Sequence, residues 1–326
     1  MNHIELSRRH FVALAASSLS LAAGRATAQS TASQGLRGLQ IVVPVPPGSQ
    51  PDLIARWLIE PLAQRAGLPV LVVNRPGAAG ALAADAVLAA PPESGSLLLG
   101  GLDHVAYSHL NSNRKALDPF VDFVPVGAVN RDTWVVATAA NAPTPTLASL
   151  AERSRREPLS YASLGEGSTA HLLSARLCRA AGIDAQHVPY RDPWMPDLIA
   201  GRVHFVVAPT PAVQAQLKGG RLRALATLTD ERLPLPGDPP TARALGLADQ
   251  VFYGGLFLFA PSVLASQATR LNGWLVETLR QADIAQRYQE VGIEPTPIGL
   301  DATATLLRQR LQQVDAMRLA VFGRTR

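Results

Sequence analysis

A turn rich in proline and glycine, close to the N-terminal end of the chain, has the residue types and spacing to bind a small anion. The apolar residues 41–45 run into Pro-Pro-Gly at 46–48, and a helix follows, with Ser49 or Gln50 suited to its N-cap and Pro51 to its first turn. A strand that turns directly into a helix leaves free N–H groups and the positive end of the helix dipole facing one point. Such a point binds a carboxylate or phosphate without a charged side chain. The plainer alternative is an ordinary turn between a strand and a helix.

Other residues capable of chemistry form no catalytic or metal-binding pattern. His104 and His109 would lie about 140° apart on a helix, so they would not share a metal ion. Cys178 is the only cysteine, which excludes an internal disulfide and a cysteine-based metal site. Ser163 and Ser168 lack the G-x-S-x-G turn of hydrolase nucleophiles. We therefore predict that the protein holds no metal ion and no cofactor.

The elements that must position the Pro-Pro-Gly turn alternate between strand and helix. Residues 39–45, 70–73 and 97–100 predict strands, and residues 52–66 and 79–89 predict the helices between them. This order implies parallel strands joined by right-handed crossovers, with helices on both faces of the sheet. A second strand–helix series begins at residues 159–162, so the sequence predicts an α/β fold with two similar halves.

The composition is typical of a globular protein with two domains. The chain has 326 residues, of which 47% are hydrophobic and 17% are charged, enough to bury a sizeable core. The formal net charge of +5 is small and scattered along the sequence, so we expect no nucleic-acid partner.

Residues 1–28 have the organisation of an export signal. Arg8 and Arg9 precede the apolar, small-residue run 13–23, and Ala-Thr-Ala at 26–28 forms a cleavage site. The apolar run is far shorter than the roughly 20 residues that span a bilayer. The arginine pair resembles a twin-arginine signal, and a weakly hydrophobic Sec signal is the alternative. We therefore predict a cleavable signal that directs the chain to the periplasm.

Several motifs, taken in order, resemble the Bug/TctC-type substrate-binding proteins of tripartite tricarboxylate transporters. The resemblance starts at the turn at 46–52, continues with Asn-Arg-Pro-Gly-Ala at 74–78, and extends to Gly-Ile-Glu-Pro at 292–295. Between these motifs lie YASLGEGSTAHL at 161–172, HVPY at 187–190 and GRLRALA at 220–226. The resemblance therefore covers essentially the whole chain after the predicted signal.

The resemblance implies a two-lobed periplasmic-binding-protein fold. Each lobe would be a mostly parallel sheet with helices on both faces, and the ligand would bind in the cleft between the lobes. The family consists of extracytoplasmic solute receptors, so the resemblance implies a receptor without enzyme activity. It would bind a small carboxylate-bearing metabolite, an organic acid or an amino acid, and deliver it to the subunits of a membrane transporter. We expect the receptor to be a monomer.

The resemblance also implies which residues contact the ligand. In this family, backbone amides of the loop after the first strand and of a serine- and glycine-rich loop in the second lobe hold ligand carboxylates. Transferred to this chain, the ligand-binding residues are Pro46, Pro47, Gly48, Ser49 and Asp52 in the first loop, and Ser163, Gly165, Gly167, Ser168, Thr169 and His171 in the second. The two glycines of the second loop allow close approach of a ligand, and the helix from Thr169 offers a second N-terminus. We favour a structural role over a catalytic role for His171.

Two departures from the family pattern affect the expected site. Ser49 stands where the family has its second glycine, and its hydroxyl offers a further donor. Arg191, Asp192 and Pro193 replace a Lys-Gly-Gly motif, which brings a carboxylate close to the expected cleft. Asp192 is either an ordinary turn residue or a ligand contact that receives a cationic group.

The order of elements further predicts where the lobes begin and end. We expect lobe one to contain residues 36–130 and 256–326, and lobe two to contain residues 131–255. A chain that leaves one lobe and returns to it forms two connections, which favours closure by hinge motion.

A second function class fits the same scaffold. An exported hydrolase, or another enzyme on an α/β fold, would also use a twin-arginine route when it folds before export. The sequence has no nucleophile turn, metal-ligand cluster or dinucleotide fingerprint, so the receptor is the favoured hypothesis.

Overall fold

The computed structural model describes residues 35–107, 116–190 and 194–323. The predicted signal at 1–28, His109 and Asp192 lie outside these residues. Within the described part of the chain, strands and helices alternate through most of the sequence.

The strands of the described residues are short. They are β1 Leu39–Val43, β2 Val70–Asn74, β3 Ser96–Gly100, β4 Phe123–Ala128, β5 Asn130–Asp132, β6 Trp134–Ala139, β7 Leu159–Ser163, β8 Ala185–Pro189, β9 Phe205–Pro209, β10 Leu222–Thr227, β11 Phe257–Pro261 and β12 Ile293–Pro295.

The α-helices of the described residues range from a single turn to 23 residues. They are α1 Gln50–Ala66, α2 Ala81–Leu88, α3 Leu102–Val105, α4 Leu147–Ser154, α5 Thr169–Ala181, α6 Met195–Ile199, α7 Thr210–Lys218, α8 Ala268–Leu279, α9 Ala282–Glu290 and α10 Leu300–Phe322. None of these helices is long and apolar enough to span a membrane.

The strands form two five-stranded sheets and one small pair. Sheet one has the order β2-β1-β3-β11-β4, and sheet two has the order β10-β6-β9-β7-β8. Two such sheets, each flanked by helices, confirm the predicted α/β class with two similar halves.

The sheets are mostly parallel, as expected, because four of the five strands in each sheet run in the same direction and one strand, β11 or β6, runs the opposite way. In sheet one, β1 is parallel to β2 and β3, whereas β11 is antiparallel to both β3 and β4. In sheet two, β7 is parallel to β8 and β9, whereas β6 is antiparallel to β9 and β10. The parallel neighbours are joined through helices. The reversed strands β6 and β11 are each the first strand that the chain enters in its sheet after a passage between the sheets.

The two passages between the sheets meet each other. The chain leaves sheet one after Ala128 and enters sheet two at Trp134, and it returns between Thr227 and Phe257. On the outward passage, β5 pairs antiparallel with β12. Asp132 of β5 also forms an isolated bridge with Gly254 of the return passage.

Helix α1 starts as its sequence predicts. Its N-cap Ser49 has an extended backbone with ψ of 161°, and Pro51 lies in the first turn. The face with Ile54, Leu58 and Leu62 is buried, and burial of such a side chain contributes roughly 1.5–3 kcal/mol. Gly67 ends the helix in the left-handed conformation with φ of 64°. The apolar face holds the helix against its sheet, so its N-terminus keeps a fixed place after β1.

The C-terminal helix connects the two halves. Helix α10 packs on β4 of sheet one and on α5, the helix after β7 of sheet two. Its buried Leu307, Val314 and Met317 belong to the same apolar cluster as Phe259 and Phe205, one from each sheet. The residues that follow β1 and β7 are therefore held by a shared core.

Candidate functional site

The first predicted loop is organised around a buried carboxylate. Asp52 is only 1% exposed, and its Oδ2 accepts hydrogen bonds from the Gly48 N–H at 2.8 Å and from Arg56 Nε at 2.9 Å. Its Oδ1 accepts from Asn74 Nδ2 at 2.8 Å, and the same amide donates to the Val45 carbonyl at 3.1 Å. Asp52 thus ties the turn to its own helix and to the end of β2.

The pKa of Asp52 reflects these bonds. Burial raises the pKa of this carboxyl, but the hydrogen bonds from Arg56, Gly48 and Asn74 outweigh burial and hold it below its ordinary value. The carboxylate is therefore ionised at neutral pH and engaged within the protein, which gives Asp52 a positioning role in the first loop.

The end of α1 remains open beyond this carboxylate. The first hydrogen bond of the helix runs from the Leu53 N–H to the Ser49 carbonyl at 3.0 Å. The N–H groups of Gln50 and Asp52 precede it and have no acceptor within the helix, as expected for a first turn. Pro46, Pro47 and Gly48 are exposed, and Ser49 and Gln50 are half-buried. Free donors and the helix dipole therefore point toward an accessible turn.

Most hydrogen-bond donors of the second predicted loop already bond to acceptors within the loop and its helix. The Gly165 N–H donates to Ser163 Oγ at 3.2 Å, and the Gly167 N–H donates to His171 Nδ1 at 3.0 Å. Ser168 is the N-cap of α5, and its Oγ accepts from the His171 N–H at 3.3 Å. Gly165 and Gly167 have φ of 125° and 76°, backbone conformations that favour glycine. The loop is tightly wound, and its side chains take several of the groups that a ligand would use.

A carboxylate from the other half of the protein occupies the start of α5. Asp103, in α3 after strand β3 of sheet one, accepts from the Thr169 N–H at 3.2 Å and from Thr169 Oγ1 at 2.8 Å. Helix α5 follows β7 of sheet two, so this contact links the two halves. The predicted second N-terminus does bind a carboxylate, and in this structure that carboxylate belongs to the protein itself.

His171 lies in a stack of rings beneath the second loop. Its ring is 3.8 Å from that of His187, with only 7° between their planes, and Tyr161 lies beside both. Burial lowers the pKa of His171 to about 4, and burial also lowers the pKa of His187. Both rings are therefore neutral at pH 7, and the Nδ1 of His171 serves as an acceptor for the loop.

Ser163 also contacts this stack. Its Oγ lies 2.7 Å from His187 Nε2, yet Ser163 is only 1% exposed and its hydroxyl also bonds to Gly165. Among the described residues, no carboxylate is hydrogen-bonded to His187. The pair resembles the first two members of a catalytic triad only in its contact distance.

A further carboxylate near the first loop was not predicted from the sequence. Asp132 is 6% exposed, and its Oδ1 accepts from Gln50 Nε2 at 3.1 Å and from Asn130 Nδ2 at 2.5 Å. Burial raises the pKa of Asp132 to about 7, although both amide hydrogen bonds lower it. The available signal was an acidic residue between the apolar stretches 123–129 and 133–137, which the sequence predicts as strands and where burial of its charge is unfavourable.

The structure thus gathers the predicted residues into two local clusters. The five residues of the first loop surround the start of α1, and the six of the second loop surround the start of α5. Two cavities of about 330 and 250 Å³ lie away from all of them, one beside Arg155 and one beside Phe120. In the described ranges, no group of three or more His, Cys, Asp or Glu side chains is arranged to hold a metal ion.

Two α/β halves joined by two adjacent passages, with helix N-termini after a strand of each half, define the architecture of periplasmic binding proteins. An R. palustris protein solved with adipate is 27% identical, with a TM-score of 0.76 over 86% of this chain and 97% of its own. MatC from Rhodopseudomonas palustris, solved with bound malate, is 25% identical, with a TM-score of 0.74 over 86% of this chain and 99% of its own.

Sequence comparison identifies the family. Residues 54–318 match the model of the tripartite tricarboxylate transporter family receptor, TctC. A protein from the tcbD–tcbE intergenic region of a Pseudomonas species is 30% identical over 88% of each chain. Protein BugT of Bordetella pertussis is 29% identical over 89% of this chain and 91% of its own. The chain belongs to the TctC family of periplasmic solute receptors, as its motifs predicted.

Proposed function

We propose that this receptor binds a small carboxylate-bearing metabolite and delivers it to the subunits of a membrane transporter. The single observation that carries the ligand class is the open N-terminus of α1 behind an exposed turn, with a buried carboxylate, Asp52, fixing the turn from within. The adipate and malate bound to two neighbours of the same fold, both dicarboxylates, support this choice.

The first loop is the proposed anion site. The carboxylate of the ligand accepts hydrogen bonds from the first-turn N–H groups of α1, while Pro46, Pro47 and Gly48 shape the turn. Ser49 closes the turn, because its hydroxyl donates to the Pro46 carbonyl at 2.6 Å, and it contacts the ligand beside these donors. Asp52 contributes by position rather than by contact, because its oxygens already accept three hydrogen bonds.

The second loop is proposed to close over the ligand. Ser163, Gly165, Gly167, Ser168 and His171 set the shape of this loop, and Thr169 holds Asp103 across from the other half. Asp192, which belongs to the sequence of the proposed second lobe, is proposed to be a ligand contact.

The ligand is proposed to lie between two lobes that move about the two passages. Lobe one would contain residues 36–130 and 256–326, and lobe two residues 131–255. The adjacency of the passages at Asp132 and Gly254 supports a single hinge region.

We propose that the receptor has no catalytic activity and acts as a monomer. Ser163 is buried, and its neighbour His187 lacks an orienting carboxylate among the described residues, which argues against the hydrolase alternative. Incubation with small esters, amides and phosphate esters is expected to give no product above a buffer blank. Turnover that disappears in Ser163→Ala would overturn this part of the proposal.

Delivery to a transporter in the periplasm requires export, which we assign to residues 1–28 as a cleavable signal of the twin-arginine type. Replacement of Arg8 and Arg9 by lysine is expected to retain the uncut precursor in cells, and normal export of that variant would favour the Sec route.

The ligand class is tested by thermal unfolding of the full chain with a panel of carboxylates that includes malate and adipate. A ligand that binds only the folded state raises the free energy of unfolding by mass action, by about 2.7 kcal/mol at 100 times its Kd, and therefore raises the unfolding midpoint. We expect at least one carboxylate to do so and its uncharged amide to have no effect. A panel in which neutral compounds bind and carboxylates do not would overturn the proposed ligand class.

A further inference from the structure

A buried carboxylate lies where the two passages between the sheets meet. Asp132 exchanges backbone hydrogen bonds with Gly254, at 3.2 Å from its N–H and 2.9 Å to its carbonyl. Its side-chain Oδ1 accepts from the amides of Gln50 and Asn130, but Oδ2 accepts no hydrogen bond from the described residues. One oxygen of a carboxylate that is 6% exposed therefore has no hydrogen-bond donor in the part of the chain that the structure describes.

Asp132 also has no cationic partner in the described ranges. Its neighbour Arg131 pairs with Glu294 at 2.7 Å and stacks over the ring of Tyr253 at 4.6 Å. The side chains that bond to Asp132, Gln50 and Asn130, are neutral. Buried carboxylates are normally paired, because an isolated charge of this kind is costly to bury. Burial accordingly raises the pKa of Asp132 to about 7, close to the pH at which a receptor works.

Two further polar groups around Asp132 lack partners among the described residues. Tyr288 is fully buried, and its hydroxyl makes no hydrogen bond; burial and the charge of Asp132 both raise its pKa. The indole Nε1 of Trp134, which is 7% exposed, also makes none. A Cβ placed on Gly254 would lie 2.7 Å from that Nε1 and 3.7 Å from the Cβ of Asp132. Besides Asp132, two buried polar groups in this region therefore have unused bonding capacity.

Gln50 connects this region with the proposed anion site. Its backbone N–H lies in the open first turn of α1, and its side-chain amide donates to Asp132. Gln50 thus contributes its backbone to the proposed anion site and its side chain to the buried carboxylate of Asp132.

We propose that Asp132 binds a protonated amine of the ligand, so that the ligand is a carboxylate that also carries an amine, such as an amino acid. This inference rests on the proposed function, because it places the carboxylate of the same ligand at the first loop. An ammonium group supplies the cation that Asp132 lacks, whereas a plain dicarboxylate meets like-charge repulsion there. Since Asp132 joins both passages, the amine also acts at the proposed hinge.

The test compares pairs of ligands that differ by one amine. Isothermal titration calorimetry at pH 8 measures binding of aspartate against succinate, and of glutamate against glutarate, to the full chain. We expect the unaltered receptor to prefer the amine-bearing member of at least one pair. Asp132→Asn should weaken that member by about tenfold or more and leave its plain partner unchanged or tighter. Asp283→Asn, which removes the same charge from an exposed position of α9, is the matched control and should change neither.

Acidification gives a second readout. Between pH 8.5 and 6.5 the ligands largely keep their charges while Asp132 takes up a proton, so the preference for the amine should fall on acidification in the unaltered receptor and stay flat in Asp132→Asn. Other titratable groups around Asp132 and its neighbours are the same in both proteins: Tyr288 of α9, Arg131 of β5, Glu294 of β12, Tyr253 of the return passage and Arg310 of α10. Thermal unfolding verifies that Asp132→Asn folds, as expected from an amide that keeps the Oδ1 contacts.

The outcomes separate this inference from the proposed function. Two results would contradict this inference: plain carboxylates that bind as well as their amine-bearing partners, or an Asp132→Asn variant that weakens both members equally. Asp132 then does not bind an amine, but the proposed binding of carboxylates is unaffected. If no carboxylate of either kind binds, the proposed function and this inference both fail.

Discussion

The starts of helices α1 and α5 are built from similar sequence signals but have different neighbours. Each follows a parallel strand through a glycine-containing turn, and each has a serine at its N-cap, Ser49 or Ser168. At α1 the nearby carboxylate, Asp52, belongs to the helix itself and leaves the first-turn N–H groups of Gln50 and Asp52 without an acceptor in the helix. At α5 the carboxylate of Asp103 comes from the other half and takes the Thr169 N–H.

The difference shows that a helix N-terminus predicts affinity for an anion but not which anion. Both ends attract a carboxylate for the same dipolar reason. The end whose donors remain open suits a ligand, whereas the end already occupied by Asp103 joins the two halves of the protein. We therefore propose that the ligand carboxylate binds at α1, whereas the contact of Asp103 with Thr169 joins the halves at α5.

The largest expected effect comes from removal of the carboxylate at α1. Asp52→Ala leaves the Gly48 N–H and the Asn74 amide without their acceptor in a buried setting. We expect the free energy of unfolding to fall by about 2–4 kcal/mol and carboxylate binding to be lost with the shape of the turn. Denaturant unfolding measures the first effect, with Asp283→Ala on the surface as the control; a loss below about 0.5 kcal/mol would show that Asp52 does not organise the loop.

A smaller effect is the pH dependence of stability that comes from Asp132, the buried carboxylate beside α1. Helix α5 has no counterpart of this buried carboxylate among the described residues. Asp132 has a pKa of about 7 in the folded state against an ordinary value of 3.8, so its stabilising contribution is present in acid and is lost as pH rises through 7. The ligand-free protein should therefore lose roughly 2–3 kcal/mol between pH 5 and pH 8 relative to Asp132→Asn. The measurement is urea unfolding of both proteins at each pH. If the free energies of unfolding of the two proteins depend on pH in the same way, burial does not raise the pKa of Asp132.

The smallest effect is expected at α5. Asp103→Ala removes the acceptor of the Thr169 N–H, and loss of a cap of this kind costs about 1 kcal/mol. Since the ligand carboxylate is assigned to α1, its affinity should change by less than about threefold. Asp103→Asn, which can still accept a hydrogen bond, serves as the control for charge. A tenfold gain in affinity would show instead that the ligand displaces Asp103 from α5.

The sequence predicted the α/β class and the helix that follows each turn, because apolar periodicity and Pro, Gly and Ser at helix ends act locally. It did not predict that β11 would insert antiparallel between β3 and β4, since that pairing joins residues far apart in the chain. The same limit applies to the site. The contacts of Asp103 with Thr169 and of Asp132 with Gln50 each span more than 60 positions, and only the tertiary structure brings them together.

The central claim, that the open end of α1 binds a carboxylate, is tested most directly at Gln50. Ser49 already has the extended backbone that a following proline requires, so Gln50→Pro fits the start of the helix and removes one first-turn N–H. Gln50→Ala is its matched control, because it removes the same side chain and keeps the N–H. Calorimetry with a bound carboxylate should show Gln50→Pro about tenfold or more weaker than Gln50→Ala, with similar unfolding midpoints for the two proteins. Equal affinities of the two variants would contradict the assignment of the ligand carboxylate to α1.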